Sequence, residues 1–130
     1  MADIQLTGLD VVTQRLQEMA TVVTPILGIA LQQEADAILE VSQTLVPVLT
    51  SRLQKTGRVE DVQINGPTTS VDITYGVDGP KGPAPYARKQ EFDTTLNHPR
   101  GGQAFYLGQP FWAAEQAFTQ NLADALSVAL

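Results

Sequence analysis

Cysteine is absent from these 130 residues, which excludes a disulfide framework and thiol chemistry. There is one histidine, His98, so neither a His-His metal pair nor an HExxH motif exists. Charge is scarce, at 17% of residues, where about a quarter is usual. A surface this short of charge is open to cover by a partner. Cations are scarcest of all: eight Lys and Arg stand against fourteen Asp and Glu, for a net charge of −6. That balance argues against a general nucleic-acid binder, which needs a basic face to neutralise phosphates. Glycines cluster only as Gly101-Gly102 and around Pro80, so no phosphate cradle is built. No run of about 18 apolar residues is present, and no basic-then-apolar leader opens the chain. The expectation is no membrane, and a place in the cytoplasm or in an assembly built there.

What is present fits one globular domain. Hydrophobic residues make up 43% of the chain, and its length suffices for a real core. The charge is segregated. Asp3, Asp10, Glu18, Glu34, Asp36 and Glu40 face a single Arg15 in the first fifty residues. Glu115 and Asp124 stand without a cation after residue 100. The other cations lie between: Arg52, Lys55, Arg58, Lys81, Arg88, Lys89 and Arg100. Such a layout permits an acidic helix of one copy to meet the basic middle of another.

The apolar spacing predicts the elements. Ile4, Leu6 and Leu9 suit a short strand or the lead-in to a helix. Asp10 is an expected N-cap, with Val12, Leu16 and Met19 on one face. Thr24-Pro25 reads as the start of a long helix that Pro47 stops. Its core stripe is Leu27, Leu31, Ala35, Ile38, Val41 and Leu45, over about twenty residues and 30 Å. A hairpin follows: Val59, Val62 and Ile64, the turn Asn65-Gly66-Pro67, then Val71, Ile73 and Tyr75. Pro85 to Phe92 suits a third antiparallel strand anchored by Tyr86 and Phe92, followed by a polar loop over residues 93–103 that a partner would order. Pro110 is expected to open the last helix, with Phe111, Ala114, Phe118, Leu122, Ala125 and Ala129 inward. The fold class is α+β: a long N-terminal helix and a C-terminal helix packed on a small antiparallel β-sheet, as one domain spanning the chain.

Chemistry is hard to place on this frame. Ser42, Ser51, Ser70 and Ser127 sit on no nucleophile turn. The pairs Glu60-Asp61 and Glu91/Asp93 are expected to face water or a cation rather than a glycosidic bond. Arg88-Lys89 beside Tyr86 could grip phosphate, but a strand would put the two cations on opposite faces. Phe111 and Trp112 suit core or interface.

Three landmarks then give the chain a resemblance. Pro47-Val48-Leu49-Thr50-Ser51-Arg52-Leu53-Gln54-Lys55-Thr56 resembles a Pro followed by Thr-Gly-x-Leu-Arg-x-Ser, with Ser51 for Gly and Gln54 for Arg. Tyr86-Ala87 with Glu91-Phe92-Asp93-Thr94 resembles Tyr-Ala-x-x-x-Glu-Phe-Gly-Thr, with Asp93 where Gly would allow positive φ. Pro110-Phe111-Trp112-Ala113-Ala114 resembles a Pro-Phe-Leu-x-x-Ala helix start. In this order they resemble the tail-completion or neck protein family of long-tailed bacteriophages. The resemblance implies a structural virion protein, assembled in the host cytoplasm, forming a ring at the head–tail junction. A hexamer is favoured over a dodecamer. Its partners would be a head-closure or connector protein on one side and the tail terminator or tube on the other. DNA would pass through the lumen without specific binding. No catalysis, cofactor or metal is expected. The candidate interface residues are Arg52, Lys55, Arg58, Arg88, Lys89 and Arg100, with Tyr86, Phe92, His98, Phe111 and Trp112. The rival readings are the tail terminator ring itself, a small nucleic-acid or ligand-binding module using Tyr86, Arg88, Phe105 and Tyr106, and an enzyme.

Overall fold

One helix dominates the molecule. α1 (Ala2–Leu45) runs unbroken for 44 residues, about 66 Å at 1.5 Å per residue. The computed structural model describes the backbone of residues 2–48 and 51–129, and the side chains of residues 10–48 and 51–128. Leu49 and Thr50 of the first landmark, and the side chains of Ile4, Leu6, Leu9 and Ala129, lie outside that description.

The expected boundary at Thr24-Pro25 is not one. Pro25 sits inside α1, and Asp10 is an interior residue rather than a cap. Proline removes one backbone donor from the helix, a cost of about 3 kcal/mol or more. Apolar side chains on both sides of it carry the helix through: Val23, Ile26, Leu27 and Leu31 are all partly covered. The predicted stripe holds at Leu27, Leu31, Ala35, Ile38 and Leu45 but fails at Val41, which is exposed. Ser42 turns inward instead and is fully buried. By length and composition, α1 contains a segment within Asp10–Leu45 able to cross a membrane, although no long uninterrupted apolar run exists. In the second half of that segment Ala35, Ile38 and Ser42 are buried against the rest of the chain.

Past Pro47 the chain makes one turn of helix, α2 (Arg52–Lys55), and then the hairpin. Strand β1 (Arg58–Val59) pairs with β4 (Ile73–Thr74), and β2 (Gln63–Asn65) with β3 (Thr68–Ser70), all antiparallel. These are two halves of one hairpin. Residues 60–62 on one arm oppose residues 71–72 on the other, so the pairing slips by one residue, and Glu60 N–H donates to Asp72 O at 2.8 Å across the gap. An extra residue of this kind bends a hairpin and raises its twist. The β2–β3 end thereby reaches α1, where Val62 lies against Gly28.

The third strand is instead a helix, α3 (Ala87–Phe92). Pro83 and Pro85 lack the donors a strand would need, and Ala-Arg-Lys-Gln-Glu are strong helix formers. Asp93 ends α3 in an extended conformation at φ −90°, so the expected left-handed turn is not required there. α4 (Gly108–Ala129) begins two residues before Pro110. Gln103 N–H donates to Leu45 O, which fixes the start of α4 beside the end of α1. From there Ala114, Phe118, Leu122 and Ala125 are partly buried, and α4 packs back along α1. Phe111 does not join them; it is exposed.

The core lies where these elements meet. Val46, Leu53, Ala84, Ala87 and Tyr106 are buried together, with Leu45, Tyr75 and Leu107 against them. Tyr75 and Tyr106 meet edge to face at 5.0 Å between centroids. Each hydroxyl is satisfied: Tyr106 donates to Ala87 O at 2.8 Å, and Tyr75 lies 2.8 Å from both Ser42 Oγ and Gln43 Nε2. Burial pushes both phenols above their ordinary pKa. Gly76, at φ +88°, passes close under Ala84 and Ala87; a β-carbon there would stand 2.7 Å from Ala84 O.

Candidate functional site

Short as it is, α3 sorts the middle of the chain into two clefts. Residues three or four apart share a helix face. Tyr86 and Gln90 therefore turn to one side, and Ala87, Arg88, Glu91 and Phe92 to the other.

The first cleft, about 530 Å³, is basic. Arg52 enters from α2, His98 and Arg100 from the 93–103 loop, and Tyr86 and Gln90 from α3. Arg52 Nε and Gln90 Oε1 are both buried without a hydrogen-bond partner. A buried donor left unpaired is costly, and such a group calls for an explanation. A carboxylate or phosphate oxygen could accept from Arg52 there. Lys81 Nζ donates to Ser51 Oγ at 3.2 Å on the rim. The loop is tied at both ends: Thr95 donates through N–H and Oγ1 to Asp93 Oδ1, and Gln103 is bonded to Leu45. Those two Thr95 bonds hold the Asp93 carboxyl below its ordinary pKa.

The second cleft, about 550 Å³, is apolar and aromatic. Val71, Ile73 and Tyr75 of the hairpin form one wall, and Phe92, Phe111 and Trp112 the other. Phe92 is 61% exposed, Phe111 50% and Trp112 54%. Phe105 stands between them, 6.1 Å from Phe92 and 5.6 Å from Trp112 by centroid. Arg88, Asp72 and Glu91 supply the charge. These rings were expected in core or interface; within one chain they are not core.

Eight of the eleven sequence candidates thus gather around α3. Arg52, Tyr86, His98 and Arg100 line the basic cleft, and Arg88, Phe92, Phe111 and Trp112 the aromatic one. Lys55, Arg58 and Lys89 line neither. Arg58 is instead paired with Glu60 at 2.7 Å on the hairpin, and this bond, then one from Thr74, holds the Glu60 carboxyl below its ordinary pKa.

Sequence reasoning missed Glu91. Read as a solvent-facing carboxylate, it is buried and caps α4: Oε2 accepts from Leu107 N–H at 3.1 Å and Oε1 from Gly108 N–H at 2.8 Å. A carboxylate at a helix N-terminus satisfies orphan donors and complements the dipole. Only a contact sixteen residues along the chain defines this role, so no local pattern announces it. Gln90 was missed for the same reason.

Among the described residues, no three of His, Asp and Glu gather as metal ligands would. No family model, no curated protein and no solved structure matches the chain.

Proposed function

We propose that this protein is a structural virion component that forms a ring at the head–tail junction of a long-tailed bacteriophage, joining the head-closure or connector protein to the tail. The observation that carries this reading is that the three landmarks form one physical unit. Leu53 of the first and Ala87 of the second share the core. Glu91 of the second caps the helix that the third begins. Ser51 adopts a left-handed conformation at φ 60°, at the position where the resemblance has glycine. Thr56, where the resemblance has Ser, is buried and places its hydroxyl between Leu53 O and Gly76 N–H. Leu53, Thr56, Ala87 and Glu91, which belong to the resemblance, are therefore residues the fold uses.

The exposed surfaces suit assembly rather than catalysis. A half-bare helix, an aromatic cleft and a basic cleft leave much unpartnered on so small a body. On this reading the acidic α1 of one subunit faces the basic middle of the next, six copies close the ring, and DNA passes without being held. Light scattering on the purified protein, together with cryo-electron microscopy of assembled particles, tests the reading. A six- or twelvefold ring at the neck is expected. A stable monomer found in no particle would end the proposal.

A further inference from the structure

We propose that the exposed segment of α1 over residues 10–22 in one copy lies in the aromatic cleft of a second copy. This names the contact by which subunits join and so rests on the ring reading above.

The two surfaces are each incomplete. Every side chain from residue 10 to residue 22 is exposed. Val12, Leu16 and Met19 stand at spacings of four and three, on one helix face, and Leu16 is 61% exposed. That spacing is how an amphipathic helix anchors in an apolar groove. A bare helix of this length is marginal in water without such packing. The aromatic cleft is its converse, concave and lined by Phe92, Phe111 and Trp112 with nothing over them.

One chain cannot bring the two together. The floor of the cleft, Tyr106 and Leu107, is packed at the Leu45 end of α1. Leu16 lies 29 residues up the same helix, about 44 Å away at 1.5 Å per residue. A second copy can. Charge agrees with that occupant. The docked segment, residues 10–22, carries Asp10 and Glu18 against Arg15, while Arg88 lines the cleft and Lys89 adjoins it. The acid facing the cleft without a cap to make, Asp72, has Arg15 as its counterpart. Because donor surface and acceptor surface differ, the contact is head-to-tail, the kind that closes into rings.

The chain has no cysteine, so introduced thiols report cleanly. Leu16→Cys and Trp112→Cys proteins, mixed and treated with a short bis-maleimide, are expected to give a cross-linked dimer. Leu16→Cys mixed with Val77→Cys is the control, since Val77 is exposed but lines no part of the cleft. Equal cross-linking in both mixtures, or none in either, overturns the proposal. Leu16→Glu removes a side chain that packs on nothing in the monomer, so its circular dichroism should match wild type while self-association weakens by about tenfold or more. Rings of unchanged symmetry and stability from Leu16→Glu would refute this contact and leave the ring reading standing. A protein absent from the neck would refute the ring reading, whatever the cross-linking shows. Flotation of wild type but not Leu16→Glu with lipid vesicles, without the specific cross-link, would assign the stripe to a membrane and overturn the proposal.

Discussion

Ser51 holds a left-handed backbone that a side chain disfavours by roughly 1–2 kcal/mol. Glycine there would relieve that cost and give back part of it in unfolded-chain entropy. Ser51→Gly is therefore expected to stabilise the fold by roughly 1 kcal/mol, read as a higher urea midpoint at unchanged slope. Glu91 gives the opposite case. Glu91→Ala leaves the Leu107 and Gly108 amides unpaired in a partly buried place, and should cost about 2 kcal/mol or more. Glu91→Gln keeps an acceptor and should cost less. Tyr75 and Tyr106 set the alkaline limit. Their folded pKa values are raised, so their contribution is complete below the unfolded value of about 10 and is lost as pH rises past it. Chemical denaturation repeated from pH 8 to pH 11 should show stability falling only in the upper part of that range. Asp93 and Glu60 act at the other end: their depressed values mean support that fades as pH falls below about 4.

At the scale of elements, legibility followed whether the deciding contact was local. The hairpin was readable because alternation and the Asn65-Gly66-Pro67 turn are local signals, and the Pro110 helix start is local too. The slip at residues 60–62 was not, since one extra residue hides inside an otherwise regular pattern. In segment 85–92 the aromatic anchors Tyr86 and Phe92 suggest a strand, but the five helix formers between them decide for a helix. Pro25 reads locally as a helix start, although tertiary cover on both sides carries α1 through it. The two clefts are illegible for the same reason: as a strand, Arg88 and Lys89 fall on opposite faces, while as a helix Tyr86 pairs with Gln90 and Arg88 with Phe92. Pro25 remains a weak point of α1. Pro25→Ala restores the donor to Thr21 O and should stabilise that helix by up to about 3 kcal/mol. Hydrogen exchange of amides near residue 25 should slow accordingly.

For the molecule as a whole, charge and shape make one argument. The cations gather in the middle of the sequence, and Arg52, Arg88 and Arg100 line clefts. Helix α1 carries Asp10, Glu18, Asp36 and Glu40 exposed to solvent. A body so divided repels a polyanion at a distance, because the net charge is −6, while the proposed contact sets the acids Asp10 and Glu18 against Arg88 and Lys89 at the aromatic cleft. Duplex DNA mixed with the protein at low ionic strength should therefore migrate unchanged, with no salt-dependent binding to titrate. The same low salt should favour association between copies, and added salt should weaken it only in part, because Leu16 and the aromatic cleft supply an apolar share that salt does not screen. Sedimentation at several salt concentrations separates the two effects. Tight DNA binding with a steep salt slope would mean the basic cleft, not the net charge, governs encounter, and would replace the ring by a nucleic-acid-binding module.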